Sequence, residues 1–194
     1  SLASFLLGDH TLNFFCFNNN LIFDEIGKYN MKYIVDYFNE EVRSNMVPLM
    51  IESIQAFPTL NDKSIYLACT LSKKDKSIPK RFALVSIPAR RLPRFIILPS
   101  RQNEKHIILL EDIIRYCLPH IFSFFEYDTF SSHIIKVTRD AEIDIDNDIS
   151  TSLIQKIEKG LKNRKKGKPV RFIFDKDIEP SLLTYLVKRL GLTQ

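Results

Sequence analysis

The chain has 194 residues, of which 45% are hydrophobic, 26% are charged and only 5 are glycine, and its net charge is +5. This mixture is typical of a globular domain and excludes an intrinsically disordered chain. The glycines stand alone, which excludes both a dinucleotide-binding fingerprint and a P-loop. No apolar run is long enough to span a membrane.

The first half of the chain predicts a strand, a long helix and a hairpin. Residues 11–17 are aromatic and uncharged, which is typical of a buried strand. Across residues 24–46 apolar side chains recur every three or four positions, which predicts one amphipathic helix that ends before Pro48. Residues 64–71 and 81–88 predict two antiparallel strands joined by a polar loop.

The second half predicts further strands and helices. Residues 110–122 have helical spacing, and Pro119 should kink or end that helix because proline lacks the donor that a helix needs. Residues 180–190 predict a last helix, which Pro180 opens and Gly191 closes. The other predicted elements are strands at 94–99, 133–140, 141–146 and 170–174 and a helix at 150–166.

Helices and strands are mixed here without a strict βαβ alternation. We therefore predict an α+β fold, with a mixed, mostly antiparallel sheet covered by helices. Residues 1–47 are expected to form a lead-in strand and long helix of the same module, and residues 48–194 the main domain. We expect the hinge between these two parts at 48–60. The opening residues have neither a basic segment nor an initiator Met, which indicates a cut edge and not a signal peptide.

The residues most often used in catalysis form no recognisable pattern. Asp144, Asp146 and Asp148 start like a calcium loop, but Ile149 and Gln155 stand where that loop needs Gly and Glu. The cysteines lie in apolar runs and predict buried, reduced thiols in a cytosolic protein. The histidines lack metal-ligand spacing. These residues are Cys16, Cys69, Cys117, His10, His106, His120 and His133. We predict no catalytic residue, metal site or cofactor in this piece.

Basic residues are concentrated at two places. From Lys159 to Arg171 the chain has seven basic residues and no acidic one, and a second cluster comprises Arg90, Arg91 and Arg94. Arg and Lys can hold phosphate groups, but a solvated helix end also favours cations. Both interpretations stay open. The candidate anion-binding residues of the longer run are Lys162, Arg164, Lys165, Lys166, Lys168 and Arg171.

Six segments follow one another in an order that is found in one enzyme family. They are YFNEEVRSNMVPLMI (37–51), FPTLNDKSIYLACTL (57–71), LPRFIILP (92–99), LLEDIIRYCLPHIF (109–122), KVTRDAEIDID (136–146) and RKKGKPVRF (164–172). Together they resemble the middle, or head, domain of bacterial polyphosphate kinase, over roughly residues 30–192. The chain departs from that pattern at Val47, where the family has Thr, and in the lysines of 162–166, where the family has arginines.

The resemblance implies an enzyme that moves the γ-phosphate of ATP reversibly onto polyphosphate, with Mg²⁺. The transfer would pass through a phosphohistidine in C-terminal domains, and none of the four histidines here matches it. The resemblance also implies that this piece is excised from a larger multi-domain chain, and alone it is expected to be inactive. Its implied role is to support homo-oligomer contacts, contacts with the other domains and the wall of the active-site tunnel. The resemblance does not assign individual cations, and we expect the six candidate residues of the basic run to contact polyphosphate there. The complete enzyme is expected in the cytoplasm, or associated with the membrane as part of a complex.

Two alternatives to this role are a nucleic-acid-binding module and a protein-interaction module. A single-strand binder stacks bases on aromatic side chains, and the run from Lys159 to Arg171 contains no aromatic residue. We therefore expect no nucleic acid partner. The sequence does not distinguish a protein-interaction module from the supporting domain.

Overall fold

The computed structural model of the chain describes residues 2–7, 10–15, 23–99, 104–139 and 169–192. These residues form two β-sheets with helices packed against them, so the predicted α+β class with a mostly antiparallel sheet is confirmed. Among them no helix is both long enough and apolar enough to cross a bilayer. The predicted strand at 141–146 and the predicted helix at 150–166 lie outside the described residues.

The strands are numbered in chain order. They are β1 (Leu2–Leu7), β2 (His10–Phe15), β3 (Pro48–Met50), β4 (Ile65–Ser72), β5 (Arg81–Ser86), β6 (Phe95–Leu98), β7 (Glu104–Leu109), β8 (Thr129–Arg139) and β9 (Pro169–Phe174). The helices are α1 (Phe23–Tyr37), a π turn (Phe38–Val42), a 3-10 turn (Arg43–Asn45), α2 (Leu110–Tyr116), α3 (Leu118–Ile121) and α4 (Pro180–Leu190).

The larger sheet has five strands in the order β3-β5-β4-β8-β9, all antiparallel. The predicted hairpin is confirmed, because Leu67 on β4 lies opposite Val85 on β5. Strands β8 and β9 confirm the strands predicted at 133–140 and 170–174. The sheet thus brings the start of β4, the end of β8 and the start of β9 side by side.

The smaller sheet has four strands in the order β1-β2-β7-β6, with β2 and β7 parallel. The predicted strands at 11–17 and 94–99 correspond to β2 and β6, whereas β1 and β7 were not predicted. Because β2 and β7 are separated by about half the chain, no local pattern could have indicated their pairing.

The helix predicted over residues 24–46 is confirmed, although its geometry changes along its length. It is α-helical to Tyr37, then makes the π turn and the 3-10 turn. Ile34, Phe38, Val42 and Met46 are four positions apart and all are buried. Positions four apart drift around an α-helix of about 3.6 residues per turn. A π turn is wider and offsets that drift, so the four side chains keep facing the sheet.

Each face of the larger sheet has its own hydrophobic core. On one face Cys69 and Val85 pack with the helical segment at 34–46 and with α2. On the other face Ala68 and Leu84 pack with Leu182 and other residues of α4. The alternation of side chains along β4 and β5 assigns neighbouring residues to opposite cores. Helices therefore cover both faces, as a buried central strand requires.

The two predicted helix ends are confirmed. Helix α2 stops at Tyr116 and α3 begins at Leu118, because Pro119 can neither donate its backbone bond nor fit beside the preceding turn. Helix α4 starts at Pro180, and Gly191 caps it in the left-handed region with φ of 67°.

The hinge expected at 48–60 stays a prediction, although parts of this segment pack against the larger sheet. Residues 48–50 are strand β3, and Ile51 continues the contact by donating its backbone N–H to the carbonyl oxygen of Phe82 at 3.1 Å. Ile51 and Leu60 are both buried in the core under α4. The division at residue 47 and the origin in a longer chain stay predictions.

Candidate functional site

The described residues do not assemble a nucleophile or a metal site. No group of three or more His, Cys, Asp or Glu side chains in this part of the chain is placed to hold a metal ion. Cys69 and Cys117 are free and buried, as predicted, and burial raises the pKa of each thiol to about 12. A thiol with so high a pKa is protonated at neutral pH and therefore unreactive. Burial also lowers the pKa of His133, which lies inside β8.

The second basic cluster divides into one arginine that pairs with a buried acid and two arginines without a carboxylate partner. Arg94 donates through Nε to both carboxylate oxygens of Glu111, at 3.0 and 3.2 Å, and Glu111 has 0% exposure. That hydrogen bonding to Glu111 raises the pKa of the Arg94 guanidinium. Arg94 is therefore committed to neutralising a buried acid, and its place in the predicted anion-binding cluster is corrected.

The exposed arginines, Arg90 and Arg91, have neutral partners. Arg90 donates through Nη2 to the backbone oxygen of Asp62 at 3.2 Å. Arg91 donates through Nη1 to Oδ1 of Asn45 at 3.5 Å. Arg90 therefore lies beside the loop before β4, and Arg91 lies beside the helical turn before β3. Each guanidinium group keeps further N–H donors for a ligand.

Strand pairing brings further cations to the same end of the larger sheet. The backbone N–H of Lys63 donates to the carbonyl oxygen of Val137 at 3.1 Å. One residue before Val137, Lys136 lies opposite Ile65, the first residue of β4. One residue after it, Thr138 lies opposite Arg171 on β9. We call Lys63, Arg90, Arg91, Lys136 and Arg171 the cationic end.

The predicted site residues are only partly placed. Arg171 is exposed on β9, an edge strand, and it shares a sheet face with Thr138. The remaining predicted residues, Lys162, Arg164, Lys165, Lys166 and Lys168, lie outside the described residues. Sequence analysis missed Lys63 and Lys136, since isolated lysines give no signal until strand register brings them together.

The opposite end of the same sheet has a different charge balance. There two lysines of the loop between β4 and β5 form ion pairs with carboxylates. Lys73 Nζ lies 3.9 Å from a carboxylate oxygen of Asp75, and Lys80 forms an ion pair with Glu179. By contrast, no residue of the cationic end makes an ion pair with a carboxylate within the described parts of the chain. Within the described residues, carboxylate ion pairs therefore occur at the loop between β4 and β5 and not at the cationic end.

This arrangement can hold anions. Exposed guanidinium and ammonium groups bind phosphate oxygens, Arg in two-pronged fashion and Lys as a flexible point charge.

Comparison with known proteins gives a consistent result. The family model described as the polyphosphate kinase middle domain matches residues 30–194. The polyphosphate kinase of Vibrio parahaemolyticus is 37% identical over 166 residues, which are 84% of this chain and 23% of that protein. That of Escherichia coli K12 is 35% identical over 162 residues, 81% of this chain and 23% of that protein. The crystal structure of polyphosphate kinase from Porphyromonas gingivalis has a TM-score of 0.65 and 25% identity, and covers 86% of this chain and 22% of that one. This chain thus spans about a quarter of the length of its curated relatives.

Proposed function

This chain belongs to the polyphosphate kinase family, as its middle domain, and we propose that the complete protein transfers the γ-phosphate of ATP reversibly to a polyphosphate chain. The observation that carries this proposal is the family match over residues 30–194. We propose that the phosphoryl group passes through a phosphohistidine in domains outside this chain. ATP is the expected donor and Mg²⁺ the expected metal, which would neutralise charge on the phosphates.

Within that protein, we assign the middle domain a supporting role and no catalytic one. The buried thiols of Cys69 and Cys117 and the buried imidazole of His133 are unsuited to attack a phosphate. The described residues also offer no carboxylate cluster for Mg²⁺. The domain would instead help to form the wall of the active-site tunnel and to maintain contacts with its neighbours.

The proposed contact with polyphosphate involves Lys162, Arg164, Lys165, Lys166, Lys168 and Arg171. A tunnel that threads a polyanion needs cations that attract phosphates without fixing their register. Lysines meet that need because each is a point charge on a flexible stem. Support comes from Arg171, which is exposed and has no ion-pair partner within the described residues.

Contacts with other domains or with a second copy have a different candidate surface. Phe95 and Ile97 on edge strand β6 are 58% and 63% exposed, and Phe124 is 90% exposed. Phe95 and Ile97 share one face of the smaller sheet, because they are two positions apart on a strand. Apolar patches of this kind mark surfaces that another protein surface covers. We propose the other domains of the same protein and a homo-oligomer partner as the contacts.

The activity proposal is tested by incubating the full-length protein with ATP and Mg²⁺ and measuring polyphosphate. We expect synthesis by the full-length protein and none by the 194-residue chain alone. Absence of synthesis from a folded full-length protein would refute the proposed activity. Synthesis by the isolated chain would refute the supporting role.

The contact proposal needs its own variant. In the full-length protein, replacing Arg164, Lys165, Lys166 and Lys168 by Gln should weaken polyphosphate binding and leave ATP affinity nearly unchanged. Unaltered polyphosphate binding would indicate that this run is only a solvated helix end.

A further inference from the structure

We propose that the cationic end binds polyphosphate directly, as a strip that crosses the strand ends of the larger sheet. This inference rests on the proposed function and adds Lys63, Arg90, Arg91 and Lys136 to the contact surface. The four belong to the loop before β4, the loop after β5 and the end of β8, so no single sequence segment contains them.

The spacing of the strip suits a linear ligand. Strands β5, β4, β8 and β9 are successive neighbours in the sheet. Hydrogen-bonded strands lie roughly 4.8 Å apart, so the sheet spans about 14 Å from β5 to β9. That span exceeds the screening length of about 8 Å at physiological salt, so the two ends of the strip attract a ligand largely independently. A single phosphate reaches only part of this strip, while a chain of phosphates can contact all of it.

The charge of the strip is available for a ligand. Arg90 and Arg91 use their described hydrogen bonds on a carbonyl oxygen and an amide oxygen, which leaves their positive charge uncompensated. Lys63, Arg90, Arg91 and Arg171 are exposed and Lys136 is half-buried. The electric fields of these cations therefore add at this end of the sheet. The combined field attracts a polyanion and makes its binding sensitive to salt.

The test compares two triple variants of the full-length protein. The first carries Lys63→Gln, Arg90→Gln and Arg91→Gln at the cationic end. The matched control carries Lys73→Gln, Lys74→Gln and Lys76→Gln at the opposite end. Both remove three positive charges, and both change one lysine with positive φ, since Lys63 has φ of 58° and Lys76 has φ of 54°. Any effect of net charge or of turn geometry is therefore shared.

The measurement is the dissociation constant of long-chain polyphosphate at several salt concentrations. The affinity of a flexible polyanion depends on salt with a slope of about 0.7 per neutralised charge, on the scale known for single-stranded nucleic acid. The cationic-end variant should reduce the slope by about 2, and the control should leave it nearly unchanged. Inorganic phosphate binding should change little in either variant, because one phosphate cannot span the strip.

The outcomes separate this inference from the proposed function. Equal slopes for the wild type and the cationic-end variant, in a protein that still synthesises polyphosphate, would overturn the strip and leave the activity standing. Equal losses in both triple variants would also overturn it, because net charge would then suffice. If the cationic-end variant lost affinity for single-stranded DNA but not for polyphosphate, the strip would be a nucleic-acid surface and the inference would be wrong. A full-length protein without polyphosphate synthesis would refute the function itself.

Discussion

Arg94 and Glu111 form an ion pair in which the carboxylate is completely buried and the guanidinium reaches it from the surface. The pair joins the segment before β6 to the first turn of α2, and the backbone N–H of Leu110 reinforces it by donating to the carbonyl oxygen of Arg94 at 2.8 Å. Arg94 therefore stabilises the fold, whereas Arg90 and Arg91, only a few residues earlier, remain available for a ligand.

This difference predicts unequal effects on stability. Replacing Arg94 by Gln leaves a buried carboxylate without its counterion and should cost about 3 kcal/mol of the free energy of unfolding. Replacing Arg90 by Gln, the matched control at an exposed position, should change it by less than about 0.5 kcal/mol. Urea denaturation at pH 7 measures both values. Equal losses of unfolding free energy in the two variants would mean that the Arg94–Glu111 ion pair does not stabilise the fold.

Cys69 and Cys117 should resist alkylation while the protein is folded. Their thiols are buried, and burial raises the pKa of each to about 12, so the thiolate is scarce at pH 8. Treatment with iodoacetamide followed by peptide mass spectrometry should find both cysteines unmodified in the native protein and modified in urea. Rapid labelling of either cysteine in the native state would contradict the described packing.

His133 should make stability depend on pH. Burial lowers the pKa of His133, and the positive charge of Arg115 lowers it further. Three carboxylates raise it by less, and they belong to Asp175, Asp177 and Glu179. The unfolded chain therefore binds a proton at His133 more readily than the folded chain does. The neutral imidazole stabilises the fold above about pH 6.5, and this contribution is lost as the pH falls towards the lowered pKa of the folded state.

The corresponding measurement is the free energy of unfolding at pH 7.5 and pH 5.5. The variant His133→Gln should lose less stability over this interval than the wild type, whatever its stability at pH 7.5. An identical loss in both proteins would show that other groups control the acid response.

Gly191 should tolerate a side chain poorly because of its backbone conformation and not because of crowding. Its φ is 67°, and a Cβ atom added there would meet nothing within 4 Å. Gly191→Ala should therefore destabilise the protein by about 1 kcal/mol through the left-handed conformation, and Gly191→Asn by less. Thermal unfolding of the two variants provides the comparison, and an unchanged midpoint for Gly191→Ala would contradict the cap.

The parts of the fold that depend on nearby residues could be predicted. Pro180 and Gly191 mark the ends of α4, and alternating apolar residues mark β4 and β5, because each signal acts over a few positions. The pairing of β2 with β7 could not, since it joins segments that are far apart in the chain. Likewise, nothing in the sequence distinguishes Arg94 from Arg90 until tertiary packing buries Glu111. The candidate site was predicted in part, through Arg90, Arg91 and Arg171, while Lys63 and Lys136 depend on strand register.

The most direct test of the account is the protection of individual lysines from acetylation by polyphosphate in the full-length protein. In one sample, peptide mass spectrometry compares the lysines proposed to contact polyphosphate with the lysines of the opposite loop. The proposed contacts are Lys63, Lys136, Lys162, Lys165, Lys166 and Lys168, and the internal controls are Lys73, Lys74 and Lys76. We predict that long-chain polyphosphate slows acetylation of the contact lysines severalfold and leaves the controls unchanged. Equal protection of both groups, or protection of the controls alone, would contradict the account.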